Sequence, residues 1–219
     1  MTSRLLLVRH GVTAWNREGR FQGHRDPELS RQGHREARLL AQRIHREEVP
    51  PSLVVTSSLA RARQTAGAIA ERLAIPVFAD PRLMEIGQGE WEGRTHAELA
   101  VQDAERYAAW RSRAIEEPPG AEPLDQVGER VDAALRDIRE RSEGSICVVS
   151  HGGTLRIAAR QLFDLSALTT WRMDLDNCSL STAVEEDGGW LLERWNDTAH
   201  LLGRTAQHVD EAEGEPLAL

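Results

Sequence analysis

Short, unbroken apolar runs recur along this chain, and most are followed by a stretch with helical spacing. Leu5-Leu6-Leu7-Val8, Leu53-Val54-Val55-Thr56 and Ile146-Cys147-Val148-Val149 are such runs, and Pro76-Val77-Phe78 begins a shorter one. Runs of this length without polar alternation suit strands buried on both faces, as in a parallel sheet. Gly11 to Ser30 is polar, carries Gly19, Gly23 and Pro27, and reads as a long loop with a helical turn near Thr13 to Arg17. Ser30 is placed to cap a helix to about Glu47, in which Ala37, Leu40, Ala41 and Ile44 share a face. Ser57 or Ser58 would cap the next, through Ala60, Ala66, Ile69 and Leu73. Thr95 to Glu116 reads as one helix, stopped by Pro118-Pro119-Gly120. Asp125 to Ser142 and Thr154 to Phe163 read as two more. Ser179 to Val184 and Leu191 to Trp195 alternate around Asp187-Gly188-Gly189, a hairpin pattern.

The expected fold is therefore α/β: a three-layer α/β/α sandwich with a mostly parallel central sheet and an inserted, mainly helical cap region. Residues 1–203 are expected to form a single domain, with the cap at about 86–128. Residues 204–219 are acidic and poor in large apolar side chains, and are expected to be a loosely ordered tail.

Composition narrows the chemistry. The chain has 219 residues and a formal charge of -8, which argues against a general nucleic-acid or anionic-membrane surface. All 27 of its basic residues are arginine. Lysine chemistry, from the phosphate-loop lysine to the Schiff base, is thereby excluded, and an anion pocket must be built from arginine forks, histidine and backbone N–H groups. Two cysteines, Cys147 in an expected strand and Cys178 in a later polar stretch, do not form a disulfide framework. A cytoplasmic setting is the default. No apolar run has the length of a signal peptide's core or a membrane span.

Two of the apolar runs end in histidine and glycine, as Arg9-His10-Gly11 and Ser150-His151-Gly152-Gly153. Strand carboxyl ends line the ligand crevice of open α/β sheets, so neighbouring strands would bring the two imidazoles together. Gly11 would let a backbone or an anion come close. Arg61 falls in the first turn of the helix after the second run, where free N–H groups and the dipole already favour anions. Glu85 follows the third run, just before Gly87 and Gly89. His10, Arg61, Glu85 and His151 thus each follow an expected strand by a few residues. Delivered to one edge, they supply a nucleophile, cationic clamps and a proton donor, the inventory for moving a phosphoryl group.

At this point the chain resembles the histidine phosphatase superfamily, the phosphoglycerate mutase-like group. The signature Arg-His-Gly-x-Thr-x-x-Asn stands as residues 9–16. Phe21-Gln22-Gly23-His24-x-Asp26 is similar to the phosphate-side loop. The second signature stands at residues 57–66, the third as Glu85-Ile86-Gly87-x-Gly89-x-Trp91-Glu92-Gly93, and the fourth as Ser150-His151-Gly152-Gly153. The resemblance implies that His10 attacks phosphorus and that Arg9, Arg61 and His151 bind the phosphoryl oxygens. It implies that Glu85 is the acid and base, and that Asn16, Gln22, Gly23 and Gly152 complete the substrate pocket. No metal and no cofactor are implied, and the partner is a small phosphorylated metabolite. Many relatives have Gly-Gly-Glu-Ser where this chain has Gly120-Ala121-Glu122-Pro123, so that loop is expected to differ in shape. The mutase branch's longer basic insert is not evident, and the short third signature resembles the phosphatase branch. The expectation is a phosphatase of small phosphomonoesters. A primer-dependent phosphoglycerate mutase, a protein-phosphohistidine phosphatase and a non-catalytic phosphate-binding regulator are the rivals. Trp15 and Trp91 are expected at the rim of the site, because both sit inside signatures.

Overall fold

The computed structural model describes residues 3–141 and 144–202; the expected tail, and Ser142 at the end of its expected helix, lie outside these residues. The chain opens with strand β1 (Arg4–Arg9), a short helix α1 (Ala14–Arg17) and helix α2 (Arg31–Ile44). Strand β2 (Leu53–Ser57), helix α3 (Ala60–Leu73) and strand β3 (Val77–Asp80) follow. Helices α4 (His96–Gln102), α5 (Ala104–Arg111) and α6 (Leu124–Arg141) lead into strand β4 (Ser145–Ser150) and helices α7 (Gly152–Leu162) and α8 (Ala167–Trp171). Strands β5 (Leu180–Glu186) and β6 (Gly189–Asp197) close the order.

The six strands form one sheet in the order β3-β2-β4-β1-β5-β6. The first four run parallel, and the hairpin β5–β6 joins the β1 side antiparallel. Alternation along the strands makes two cores. Leu5, Leu7, Ile146 and Val148 face Val131, Ile138 and Leu155 from α6 and α7. Leu6, Val8, Cys147 and Val149 face Leu40, Ile44, Ala66 and Ile69 from α2 and α3. This is the three-layer sandwich expected from the apolar runs. The hairpin turns through Asp187 and Gly188, both at positive φ, as a two-residue connection between twisted strands requires.

Some local expectations needed correction. The stretch 95–116 is two short helices, broken at Asp103, whose carboxylate instead accepts from Trp91 Nε1 and Arg106. Neither Ser57 nor Ser58 caps α3; Leu59 holds that position without a side-chain hydrogen bond. Ser57 is used by the site described below. Trp91 is not a rim residue but is wholly buried. It packs in a ring cluster with Phe21, Tyr107 and Trp110, which His96 joins. This cluster fastens the 89–111 segment onto the loop that follows α1. Pro123 does not disturb the start of α6: its carbonyl accepts the helix's first bond, from Val127 N. Among the described residues no helix is long and apolar enough to cross a membrane.

Candidate active site

The register of β1 against β4 builds the centre of the site. Arg9 lies opposite Ser150, and His10 N donates to Ser150 O at 2.9 Å, so the next residues, His10 and His151, emerge side by side. Their ring centroids are 5.1 Å apart and both rings are buried. His10 Nδ1 lies 2.8 Å from Gly11 O. A carbonyl only accepts, so Nδ1 carries the proton and Nε2 keeps its lone pair. His151 Nε2 lies 2.7 Å from Ser57 Oγ, which itself accepts from Leu59 N. Ser57 Oγ can donate to Nε2 or accept from it, and with Ser57 as the donor the ring proton of His151 sits on Nδ1. Burial pushes both imidazoles far below the usual histidine value of 6.5, and the nearby cations Arg61 and Arg9 add to it.

Two arginines flank His10. Arg61 is completely buried, and its Nη1 and Nη2 donate to Arg25 O (2.7 Å) and Gly23 O (2.9 Å). Arg9 donates through Nη1 to Leu175 O. Burial lowers the Arg9 guanidinium to about 10, still charged at neutral pH, and Glu85 counters the shift. Arg9 Nε and Arg61 Nε are buried N–H groups, and His151 Nδ1 a buried ring nitrogen, with no partner among the described residues. Buried donors are ordinarily paired, so two unpaired guanidinium N–H groups beside His10 suit a receptor for an anion.

Glu85 arrives from the turn after β3 and sits on the N-terminus of α7. Its Oε2 accepts from Gly153 N at 3.2 Å, and its Oε1 from Thr154 N at 3.1 Å and Ile86 N at 3.0 Å. Arg130 donates to the carbonyls of Arg82, Met84 and Glu85, which pins that turn to α6. Asn16 is oriented by the donors to its oxygen: Oδ1 accepts from Thr13 N at 3.0 Å and from Asn177 Nδ2 at 3.5 Å. Its Nδ2 therefore faces the pocket as a donor. Gly23, at φ +48°, lies so close to Glu92 that a Cβ would fall 2.1 Å from Oε1.

A cavity of about 160 Å³ is lined by Arg9, His10, Asn16, Gln22, Gly23, Arg61 and Glu85 together with Arg20, Phe21 and Gln88. Seven of the nine expected residues therefore share one wall. His151, whose ring neighbours that of His10, and Gly152, whose carbonyl accepts from Arg156 Nη1, are not among the lining residues. A wider groove of about 600 Å³ runs along the same loop, lined by Trp15, Arg25, Asp26, Pro27, Glu92, Gly93 and Arg94. The close approach at Gly11 is made by protein: a Cβ there would lie 2.8 Å from the carbonyl of Gly33 in α2.

A family profile described as "Histidine phosphatase superfamily (branch 1)" matches residues 5–198. The chain belongs to the histidine phosphatase superfamily. A Yersinia pestis protein named "Probable phosphoglycerate mutase GpmB" is 35% identical over 206 residues, covering 89% of this chain and 93% of that protein. Among solved structures, the α-ribazole phosphatase of Shigella flexneri superposes with a TM-score of 0.78 at 30% identity, covering 89% of this chain and 96% of the other. A mycobacterial glucosyl-3-phosphoglycerate phosphatase, in a structure with VO3, superposes at 0.80 with 30% identity, covering 89% and 99%.

Superfamily membership accounts for the signatures but not for every neighbour of the site. Arg20 and Gln88 also line the cavity and carry no signal in the sequence, since each lies between motif positions, whereas Phe21 opens the phosphate-side motif. In sequence Ser57 has the spacing of a helix cap, and its contact with His151 joins strands far apart along the chain. Asn177 carried no signal, because it lies in the irregular connection from α8 to β5. Glu122 is not a spare acid. Burial alone would push its carboxyl up, but the pair with Arg130 at 2.7 Å, Gly87 N and His24 hold it below the usual value.

Proposed function

We propose that this chain is a phosphatase that hydrolyses small-molecule phosphomonoesters without a metal, through a phosphohistidine on His10. The observation that carries the reading is the lone pair of His10 Nε2, fixed by the Nδ1–Gly11 hydrogen bond and surrounded by Arg9, Arg61 and His151. In the first step Nε2 forms a bond to phosphorus as the bond to the ester oxygen breaks. Arg9, Arg61 and His151 meet the charge on the equatorial oxygens, and Asn16 donates from the side. Glu85 gives its proton to the leaving oxygen. In the second step a water enters, Glu85 takes its proton, and the P–N bond breaks to release orthophosphate and neutral His10. Gln22, Gly23 and Gly152 shape the pocket. A cytoplasmic setting is part of the proposal and rests on two buried free thiols, Cys147 and Cys178.

The test is rapid quenching of the enzyme with a labelled phosphomonoester. Acid-labile, alkali-stable label on the wild type, absent from His10→Ala, is the expected result; label retained by His10→Ala overturns it. Hydrolysis should persist in excess EDTA, because the arginines already supply the positive charge; loss restored by Mg²⁺ or Zn²⁺ would count against the mechanism.

The mutase reading is favoured by the relative named as a phosphoglycerate mutase, matched over most of its length. Incubation with 3-phosphoglycerate and a bisphosphate primer separates the two. A phosphatase releases orthophosphate faster than it forms 2-phosphoglycerate, and a mutase does the reverse.

A further inference from the structure

Residues 173–178, between α8 and β5, are tied to the candidate site from several sides. Arg156 Nη2 donates to Met173 O at 3.0 Å, and Arg9 Nη1 to Leu175 O. From β6, Asn196 Oδ1 accepts from Asp176 N at 2.7 Å. Cys178, at φ +55°, donates its N–H to Arg9 O at 3.0 Å and His10 O at 3.2 Å. Between these anchors stands Asn177. Its Nδ2 donates to His10 O at 2.9 Å and reaches Asn16 Oδ1 at 3.5 Å.

We propose that Asn177 is a positioning residue for phosphoryl transfer, holding the backbone of His10 and the side-chain amide of Asn16 with one NH₂ group. The inference rests on the reading of His10 as the nucleophile. His10 has three points of attachment: its N–H on Ser150 O, its Nδ1 on Gly11 O, and its carbonyl on Asn177 and Cys178. The first two fix the strand end and the ring's tilt. The third fixes the peptide plane after His10, and Gly11 O, which holds Nδ1, lies one residue beyond that plane. A shift in this plane therefore moves Nε2. The same amide helps to fill the acceptor oxygen of Asn16, which keeps the Asn16 donor turned toward the cavity. Asn177 does not line the cavity. Its effect is therefore expected on the geometry of attack and not on the inventory of groups that bind the anion.

Asn177→Ala and Asn177→Asp in the full chain test this, with p-nitrophenyl phosphate in rapid-quench experiments. The aspartate keeps the size but sets an oxygen against the His10 carbonyl, so it decides the matter if the alanine variant is poorly folded. Burst amplitude counts the folded active sites, and burst rate reports positioning. Phosphoenzyme formation should slow by about 10- to 100-fold, the usual effect of misplacing a reacting group by an ångström or less. The dissociation constant for orthovanadate should change much less. The loss should also shrink in an Asn16→Ala background, since the two residues act partly through one contact. A purely structural residue would lower the amplitude or the melting temperature and leave the rate per site unchanged. Wild-type burst rates in both variants overturn the inference while the phosphohistidine reading stands. A wild-type enzyme that forms no phosphoenzyme overturns both.

Discussion

A histidine attacks phosphorus only through a nitrogen that keeps its lone pair, and here the tautomer is set by one backbone carbonyl, Gly11 O. Glu85 is set as firmly, by two N–H groups of α7, its own neighbour Ile86 and the Thr154 hydroxyl. Those contacts allow a sharp test of its role. Glu85→Gln keeps the size and cannot give up a proton, so it should bind substrate nearly as well. With alkyl phosphates its phosphoenzyme should form about 10²- to 10⁴-fold more slowly, the usual contribution of a positioned acid. With p-nitrophenyl phosphate the loss in that step should be far smaller, because the leaving oxygen needs little protonation. Burst kinetics separate this from the water step, which still needs the base. Wild-type phosphorylation of alkyl phosphates by Glu85→Gln would remove Glu85 from the mechanism. Glu122, bound to Arg130, would be a poor replacement.

Two glycines show how the elements are set against the site. Gly33, in the first turn of α2, packs on the loop after β1: a Cβ there would lie 2.2 Å from Val12 O and 3.0 Å from Val12 N. Backbone cannot yield as a side chain does, so Gly33→Ala must push α2 away from residues 11–12. Overpacking of this kind costs about 1–3 kcal/mol. At about 2–4 °C per kcal/mol for a chain of this size, calorimetry should show a clear fall in melting temperature. Gly153, at the start of α7, is the opposite case. Its Cβ would meet Ile86 Cδ1 at 2.6 Å and Glu85 Oε1 at 2.8 Å, both movable side-chain ends. Gly153→Ala should lower the melting temperature less than Gly33→Ala and lose phosphatase activity, because the displaced groups are side chains and one of them is the Glu85 carboxylate. If it instead unfolds the chain while the surviving protein keeps full activity, the seat of Glu85 on α7 is misassigned.

At the scale of the molecule, the centre of the site makes the fold sensitive to acid. His10 and His151 are held neutral in the folded state, chiefly by burial and then by Arg61 and Arg9. His96 and His200 are shifted the same way, again chiefly by burial. Below the unfolded value of 6.5 the unfolded chain binds protons that the folded chain refuses, so stability rises with pH in this window. It should be complete above about pH 6.5 and fall steadily toward pH 5, before most carboxylates titrate. Melting temperatures from pH 7.5 to 5 measure this. Orthovanadate should recover part of the loss, since a ligand that binds only the folded state stabilises it by mass action. A flat profile between pH 6.5 and 5 would mean that the two imidazoles are not held neutral.

Local pattern by itself determined most of the secondary structure and put His10, Arg61, Glu85 and His151 at strand ends, whereas Arg9, Asn16, Gln22, Gly23 and Gly152 came from the resemblance to the superfamily's signatures. The apolar runs at residues 5, 53 and 146 declared buried parallel strands, and the residues that end them, His10 and His151, were legible because strand ends line the crevice. The alternating pattern around Asp187-Gly188 declared the hairpin. Some features had no local signal, because they depend on which groups come together from distant parts of the chain. The helical look of residues 95–116 could not show that Asp103 would break the helix and accept from Trp91. Nothing in Trp91's surroundings in sequence told rim from core. Ser57 looks like a helix cap until β4 places His151 beside it, and Asn177 looks like any loop residue until β1 ends at its amide. Hydrophobic periodicity reports burial along one element, whereas the partner of a hydrogen bond is chosen by packing between elements. That packing alone decided the tautomer of His10, the seat of Glu85 on α7 and the direction of Asn16.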